Sequence, residues 1–265
     1  MTALITGASS GIGLELARIF ASRRHDVVLV ARSEGRLREL AGQCEASGVR
    51  AHVVAADLAR PDAARSIVEA IGQLGLEIDI LVNNAGFGVY GRFVETPPAA
   101  ELESVQVNIV ALTELTKRFL PGMVARRRGR ILNVASTAGF LPGPLMAVYY
   151  ATKAYVISFS EAIANELEGT GVTVTVLCPG PTDTGFQAAA NLETSRIVSL
   201  LRKASSRSVA EAGYEAMMAG KVVCIPGVAN KVSAVAPRLF PRAIIRKVVR
   251  AIQDPHAAAA AKGTR

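Results

Sequence analysis

Tryptophan is absent from this 265-residue sequence, and cysteine occurs only three times. The three cysteines, Cys44, Cys178 and Cys224, lie far apart among apolar residues, which is typical of buried free thiols in a reducing compartment. The sequence has neither a paired Cys/His spacing nor a His-Glu cluster, so we expect no metal site. These absences argue against a disulfide-stabilised secreted protein and against a zinc-dependent protein.

Long hydrophobic runs are also missing, although half of the residues are apolar. No run approaches the length of a membrane-spanning helix. The sequence opens with "MTALITG", a core-strand pattern that leaves no room for a secretory leader, and we expect a cytoplasmic protein. The net charge of +8 is spread along the chain, which favours solubility, and we expect no nucleic-acid partner.

Short β-branched runs alternate with longer helix-like segments along most of the chain. The runs fall at 3–6, 26–31, 50–56, 78–84, 129–135, 172–178 and 221–225. Runs this uniformly apolar are typical of strands buried on both faces, as in a parallel sheet between two helix layers. We predict one Rossmann-like, doubly wound α/β domain over 1–227, with about seven strands in three αβα layers. A helical extension at 228–254 and a flexible tail at 255–265 are expected to follow.

The stretch "TGASSGIG", from Thr6 to Gly13, connects the first predicted strand to the first predicted helix. Its glycines let the backbone turn sharply and approach a pyrophosphate, and the helix N-terminus offers unpaired N–H groups to the anion. Three residues separate the first two glycines, whereas the usual dinucleotide fingerprint has one. Taken alone, the stretch fits either a phosphate-binding turn or a turn that is merely tightly packed.

Two adjacent tyrosines precede a lysine in "MAVYYATKAYVISF". Tyr149 lies four residues before Lys153 and Tyr150 lies three before it, so either ring can share a helical face with the lysine. An ammonium group beside a phenol favours the anionic form, which makes the phenol a candidate proton donor and acceptor. Helix geometry alone does not choose between the two rings.

Together these motifs resemble the short-chain dehydrogenase/reductase family, from residue 2 to about residue 227. The wide glycine spacing is the family's, and further matches are "NNAG" at 83–86, "VQVNIVAL", "NVASTAG" and "PGPTDT" at 179–184. The family pattern Tyr-x-x-x-Lys selects Tyr149, which lies 13 residues after Ser136 (149 − 136 = 13). Tyr150 then becomes a packed aromatic residue or a wall of the substrate pocket.

The resemblance implies a catalytic set and a cofactor site. The expected catalytic residues are Asn108, Ser136, Tyr149 and Lys153. The expected cofactor contacts are Gly7, Ser9, Ser10, Gly11, Ile12, Gly13, Arg32, Asp57, Leu58, Asn84, Ala85, Gly86, Tyr149, Lys153, Pro179, Gly180, Thr182 and Thr184. In the family, the carboxylate at the position of Asp57 contacts the adenine, and the segment 179–184 holds the nicotinamide end.

The chemistry implied by the resemblance is hydride transfer between a nicotinamide cofactor and a carbonyl or alcohol carbon, with Tyr149 as acid and base. A cation ~5 Å from a phenol, at an effective dielectric of about 20, favours phenolate by roughly 3 kcal/mol, while desolvation opposes the shift. We therefore expect Lys153 to lower the pKa of Tyr149. Ser136 would position the substrate oxygen, and Asn108 would hold a water molecule that relays protons.

The end of the second predicted strand, "VVLVARSEGRL", indicates which nicotinamide is preferred. NAD-selective sites usually place a carboxylate just after this strand, but Arg32 occupies that place here, with Arg36 close behind. Arginine offers a planar fork to a phosphate, which a carboxylate would repel. We expect NADP(H) in preference to NAD(H). The alternative is an ordinary surface arginine whose charge Glu34 partly offsets.

The substrate is less clearly indicated. Segments 185–208, 86–93 and 138–146 contribute apolar side chains that suit a hydrophobic ketone or secondary alcohol, such as an acyl chain or a steroid. Reduction of fatty β-ketoacyl thioesters is the runner-up function, and a non-enzymatic cofactor-binding regulator is a third class. Retention of all four catalytic positions disfavours the regulator.

Residues 241–253 form an amphipathic pattern in the C-terminal extension. Ile244, Ile245, Val248, Val249 and Ile252 fall on one side, opposite Arg242, Arg246, Lys247 and Arg250. This pattern fits a helix docked on its own domain or on a neighbouring subunit. It also fits a peripheral membrane helix whose basic residues meet anionic headgroups. Because family members commonly assemble through the helices that carry the catalytic Asn and Tyr, we expect a homo-oligomer.

Overall fold

The computed structural model describes residues 1–183 and 204–254. The strands in these ranges are β1 Thr2–Thr6, β2 Asp26–Ala31, β3 Ala51–Ala55, β4 Ile80–Asn83, β5 Gly129–Val134, β6 Val172–Leu177, β7 Thr182–Asp183, β8 Ala204–Ser205 and β9 Val223–Cys224. The longer strands coincide with the apolar runs of the sequence, because such residues pack favourably on both faces of a buried sheet.

Helices connect most of these strands. They are α1 Gly11–Ser22, α2 Glu34–Glu45, α3 Ala63–Gln73, α4 Pro98–Val105, α5 Leu112–Ala125, α6 Ala147–Glu166, α7 Ser206–Met218, α8 Val228–Val235 and α9 Arg242–Gln253. A π-helical turn, Gln106–Ala111, joins α4 to α5, and 3₁₀ turns lie at Thr137–Phe140 and Ala236–Leu239. None of the helices in the described ranges combines the length and the apolar character that crossing a membrane requires.

Seven strands form one sheet in the order β3-β2-β1-β4-β5-β6-β9, and every neighbouring pair is parallel. The strand order reverses between β1 and β4, and in doubly wound folds ligands bind beside the carboxyl ends of the strands at such a reversal. The predicted Rossmann-like sheet is therefore confirmed. The separate β7–β8 pair was not predicted, since two residues per strand are too few to show a period.

The core lies in two layers, one on each face of the sheet. On one face, Leu16 and Phe20 of α1 pack with residues of α2 and α7. On the other face, Ile67 of α3 and Leu115 of α5 pack against the opposite side chains of the same strands. This arrangement gives the three αβα layers and fixes the positions of the strand ends.

A buried amide network ties the middle of the sheet to two helices. Asn83 Nδ2 donates hydrogen bonds to Asn133 Oδ1 at 2.9 Å and to Thr116 Oγ1 at 3.1 Å. Asn133 Nδ2 in turn donates to Ser160 Oγ of α6 at 2.9 Å. Buried polar groups that find partners in this way favour one register of the strands and helices.

The C-terminal helix α9 packs on its own domain along only part of its apolar side. Val249 is buried and Ile245 is partly buried against the cluster around Tyr150. Ile244, Val248 and Ile252, which the sequence pattern places on the same side, remain exposed. The predicted apolar side is therefore divided between a docked row and an uncovered row, because the helix contacts the domain along a single line.

Candidate active site

The glycine-rich turn lies between β1 and α1 and packs against the end of β4. Gly7 has φ +65°, a conformation that favours glycine. A Cβ atom on Gly13 would lie 2.3 Å from the Gly7 carbonyl oxygen and 2.4 Å from Asn84 Nδ2. Asn84 Nδ2 donates to the Thr6 carbonyl oxygen at 2.9 Å, which holds the turn against β4. Larger residues would therefore disrupt the turn, and Gly13 supports it from beneath.

A cavity of about 840 Å³ extends along the carboxyl ends of the central strands. Its walls bring together most of the predicted cofactor contacts, namely Gly7, Ser9, Ser10, Gly11, Ile12, Arg32, Asp57, Leu58, Asn84, Ala85, Gly86, Pro179, Gly180 and Thr182. Ser136, Tyr149 and Lys153 line the same cavity. Thr184, also predicted as a cofactor contact, lies outside the described residues.

Tyr149 lies next to both Lys153 and Ser136. Lys153 Nζ is 5.8 Å from the centroid of the Tyr149 ring and donates to the Val134 carbonyl oxygen at 2.8 Å. Ser136 follows β5, where its Oγ accepts a hydrogen bond from Ala138 N at 3.1 Å and also bonds to the phenol of Tyr149. The end of β5 and one turn of α6 thus place a hydroxyl, a phenol and an amine together.

The pKa of Tyr149 is shifted upward, opposite to the direction expected from the sequence. Burial raises the pKa of this phenol, and the hydrogen bond with Ser136 offsets only part of that effect. Burial also lowers the pKa of Lys153, to about 8, because the charged ammonium loses its water. Burial thus disfavours the charged form of both groups, and the phenol holds its proton at neutral pH.

Tyr150 occupies a different environment from Tyr149. A Cβ atom on Gly143 would lie 2.1 Å from the Tyr150 ring, so only glycine permits this ring position. The Tyr150 hydroxyl accepts a hydrogen bond from Gln253 Nε2 of α9. The ring therefore forms a wall of the cavity, one of the two roles that sequence reasoning left open for it.

Asn108 lies in the π-helical turn and is buried behind the cavity wall. Its Nδ2 donates to the Phe87 carbonyl oxygen at 2.9 Å and to Thr152 Oγ1 at 3.0 Å, and its Oδ1 accepts from Phe87 N at 3.1 Å. A Cβ atom on Gly86 would lie 2.9 Å from Asn108 Oδ1 and 3.2 Å from Lys153 Nζ. Since both amide hydrogens are engaged, a water molecule held by Asn108 would have to bond to its remaining acceptor sites.

Arg32, Ser33 and Arg36 line the opposite end of the cavity. Glu34 pairs with Arg38 at 2.5 Å, within α2, and forms no ion pair with Arg32. Within the described ranges, neither Arg32 nor Arg36 forms an ion pair. This end of the cavity therefore presents guanidinium groups that are available to an anionic ligand.

The C-terminal extension contributes a wall of the cavity that sequence reasoning missed. Ala229, Asn230, Ser233, Val249, Ile252 and Gln253 all line it. A Cβ atom on Gly180 would lie 2.2 Å from Asn230 Oδ1, so α8 packs directly on the segment that follows β6. The amphipathic segment 241–253 gave the only sequence indication, and Gln253 was not among its apolar or basic residues.

Comparison with known proteins identifies relatives of this chain. The family model described as short chain dehydrogenase matches residues 1–195. A short chain dehydrogenase of Pseudocercospora fijiensis is 38% identical over 190 residues, covering 71% of this chain but only 61% of the relative. The ketoacyl reductase HetN of Nostoc sp. is 34% identical over 218 residues, covering 82% of this chain and 75% of HetN.

Solved structures agree with this relationship. A short-chain dehydrogenase from Sphingobium yanoikuyae in complex with NADPH has a TM-score of 0.81 at 34% identity, covering 90% of this chain and 93% of that one. Other similar structures hold NADP or NAD, so these relatives as a group do not establish which cofactor this chain prefers. The matched family model, these relatives and the parallel sheet show that the chain belongs to the short-chain dehydrogenase/reductase family of oxidoreductases.

Proposed function

We propose that this protein catalyses reversible hydride transfer between NADP(H) and a hydrophobic ketone or secondary alcohol. The observation that carries the proposal is a single cavity lined by Ser136, Tyr149 and Lys153 together with the glycine-rich turn and Arg32. These groups can bind a dinucleotide and hold a carbonyl oxygen beside a proton donor. The residues that line the cavity are sufficient both to bind the dinucleotide and to hold the carbonyl oxygen.

The residues present fit a nicotinamide dinucleotide. A Cβ atom on Gly7 would lie 2.9 Å from Ala85 Cα, so a larger residue would push the turn away from the end of β4 and distort the cavity that the turn lines. The turn precedes the N-terminus of α1, where unpaired N–H groups favour a pyrophosphate. Arg32 would bind the 2′-phosphate of NADP(H) through charge-assisted hydrogen bonds, which supports NADP(H) over NAD(H).

When bound, the reduced nicotinamide would supply the hydride. Ser136 would orient the carbonyl oxygen, and Tyr149 would donate its proton as negative charge develops on that oxygen. The raised pKa of Tyr149 suits this direction, since the phenol stays protonated until the oxygen becomes basic. The ammonium of Lys153 would then stabilise the phenolate, and Asn108 would position the loop after β4.

The walls near Tyr149 favour a hydrophobic substrate. Leu141, Met146, Val249 and Ile252 border this part of the cavity. Reduction of β-ketoacyl thioesters is the second candidate, supported by the similarity to HetN, which is named a ketoacyl reductase. The exposed basic residues Arg242, Arg246 and Lys247 of α9 would suit an acidic carrier or coenzyme phosphates.

The test is a panel of hydrophobic ketones and β-ketoacyl thioesters, with oxidation of NADPH or NADH followed by absorbance. We expect turnover of hydrophobic ketones and a higher kcat/KM with NADPH than with NADH. Preferential turnover of thioesters would select the second candidate. Cofactor binding without turnover of any substrate would instead support a regulator, and equal efficiency with NADH would refute the cofactor assignment.

We further propose that the protein is a homo-oligomer assembled through the outer surfaces of α5 and α6. Support comes from two exposed residues, Val110 in the π-helical turn that leads into α5 and Tyr155 on α6, and from stacking of Tyr155 on Phe159. Light scattering coupled to size-exclusion chromatography would measure the assembly, and Tyr155→Glu should dissociate it. A monomeric wild-type protein would contradict this proposal.

Peripheral membrane contact is a separate proposal for 241–253. The uncovered apolar row of α9, Ile244, Val248 and Ile252, lies beside the exposed Arg242 and Arg246, an arrangement that suits an anionic lipid surface. Co-sedimentation with anionic vesicles at low salt, compared with neutral vesicles, tests the contact. If the protein co-sediments with neither kind of vesicle, the membrane proposal is refuted and α9 contacts only its own domain or a neighbouring subunit.

A further inference from the structure

Gln253, the last residue of α9, is held in the cavity wall by two tyrosines of the catalytic domain. The residue is 2% exposed and lines the cavity beside Val249 and Ile252. Its side-chain Nε2 donates to the Tyr150 hydroxyl, and its main-chain oxygen accepts from the Tyr90 hydroxyl at 2.8 Å. The two contacts fix both the end of α9 and the direction of the side chain.

The other half of this amide has no partner. Among the described residues, none donates a hydrogen bond to Gln253 Oε1, although the atom is fully buried. A buried polar atom without a partner destabilises a protein by an amount comparable to a lost hydrogen bond. Because Gln253 and Tyr150 both line the cavity, a molecule bound between Tyr150 and α9 is the partner that can satisfy this oxygen.

The chemistry of that partner follows from the donors and acceptors available. As oriented, the pair offers the Gln253 oxygen as an acceptor and the Tyr150 O–H as a donor. Rotating the amide by half a turn makes Tyr150 donate to Gln253, and the pair then offers an N–H donor and the phenol lone pairs. In both orientations the complement is a group that donates and accepts at once, namely a hydroxyl.

A carboxylate would fit this pair poorly. Its negative charge would face the Gln253 oxygen, and a carboxylate buried without a cation is strongly disfavoured. Arg250, the basic residue of α9 closest in sequence, already pairs with Asp254 at 3.0 Å. Leu141 and Met146 pack with Tyr150 in one apolar cluster.

The position of the pair relates it to the reacting carbonyl. Tyr149 and Tyr150 both line the cavity, with their ring centroids 6.1 Å apart and their planes at 76°. A substrate whose carbonyl oxygen meets Tyr149 therefore passes Tyr150 on its way toward α9. The pair and the Tyr149 phenol thus border the same cavity, and a rigid two-ring ketone with a hydroxyl remote from its carbonyl is a suitable probe of contact with both.

We propose that Gln253 and Tyr150 form a specificity site that recognises a hydroxyl group distant from the reacting carbonyl of an otherwise hydrophobic substrate. The inference rests on the proposed reductase function and narrows it. It assigns the C-terminal extension a role in choosing substrates, because Gln253 belongs to that extension.

The test compares 2-decalone with 2-decalones that carry one hydroxyl at each position of the second ring, using NADPH. For at least one hydroxylated isomer, we expect wild-type kcat/KM to exceed that for 2-decalone by about tenfold, mainly through KM. Gln253→Met keeps the length of the side chain and should abolish this ratio while leaving kcat on 2-decalone within about twofold. Tyr150→Phe should reduce the ratio in the same way. These results would support the specificity site.

Ile252→Val is the matched control, since it changes the shape of the same wall without touching a hydrogen bond. Ile252→Val should change kcat/KM for 2-decalone and for the hydroxylated isomers by the same factor. If the wild-type enzyme reduces 2-decalone and every hydroxylated isomer equally well, the specificity site is refuted while the reductase function stands. Loss of the ratio in Ile252→Val as in Gln253→Met would also refute it. Absence of all ketone turnover would overturn the proposed function and this inference with it.

Discussion

The two walls of the cavity are built by different means. One wall comes from the strand ends of the central sheet, where residues such as Ile5 and Leu29 are completely buried beneath it. The other wall comes from α8 and α9, and in α9 only Val249 and Gln253 are buried. The first wall carries the residues that match the family motifs, and the second is formed by the C-terminal extension. We expect substitutions in the second wall to change substrate selection without disturbing the first wall.

The largest effect is expected from the wall that carries the chemistry. Tyr149→Phe removes the proton donor and should lower kcat by about 10²–10⁴ while leaving NADPH affinity nearly unchanged. Tyr150→Phe, the matched change in the neighbouring ring, should leave kcat on an unsubstituted ketone within about tenfold. Kinetics at saturating NADPH measure both. Equal losses of kcat in the two variants would contradict the assignment of Tyr149, and not Tyr150, as the proton donor.

The same wall should also contribute a pH-dependent change in stability, through Lys153. Lys153 has an ordinary pKa of 10.5 and a folded-state pKa of about 8, so the unfolded chain binds more protons between these values. Burial of the charged amine costs stability below pH 8, and that cost disappears as pH rises toward 10.5. A difference of 10.5 − 8 = 2.5 units corresponds to roughly 3 kcal/mol.

Lys153→Met removes the titrating group and serves as the reference. Urea unfolding of both proteins between pH 7 and pH 10 should show the wild type gaining free energy of unfolding relative to Lys153→Met as pH rises. The Tyr149 phenol is present in both proteins, so its titration cancels when their free energies of unfolding are subtracted. A difference that stays constant with pH, or that falls, would contradict the burial of a charged Lys153.

The preference for NADPH over NADH tests the end of the first wall that carries Arg32. Arg32→Glu should raise the KM for NADPH by about tenfold to a hundredfold, because charge-assisted hydrogen bonds are lost and a carboxylate repels the phosphate. The KM for NADH should change little. Arg38→Glu is the matched control, since Arg38 lies on α2, just after the turn that carries Arg32, but pairs with Glu34 and does not line the cavity. An equal rise in the KM for NADPH in the two variants would show that the net charge of this surface, and not a direct contact with Arg32, determines NADPH binding.

The smallest effect is expected in the extension. Val249→Ala should reduce the free energy of unfolding by roughly 1–2 kcal/mol, against roughly 2–5 kcal/mol for Leu29→Ala in the sheet. Hydrogen exchange should also be faster in α9 than in β2, since α9 has fewer buried contacts. Equal protection of both elements would show that the extension is as firmly packed as the sheet.

The sheet and the first wall could be predicted from the sequence because the motifs that specify them each lie within a short stretch of the chain. Strand runs, the glycine turn and the Tyr-x-x-x-Lys spacing each lie within a short stretch, and the turn's glycines are required by close contacts with Asn84. The contact between Gln253 and Tyr150 joins residues 103 positions apart and has no local pattern. The direction of the Tyr149 pKa was also missed, because it depends on how deeply the phenol is buried.

The structure of the complex with NADPH would test the central claim most directly, namely that one cavity holds the cofactor and presents it to Tyr149. We predict that the 2′-phosphate lies beside Arg32, that the pyrophosphate lies against the turn from Gly7 to Gly11, and that the nicotinamide borders Tyr149 and Gly180. A cofactor bound outside this cavity, or a Tyr149 ring turned away from the nicotinamide into the interior, would contradict it.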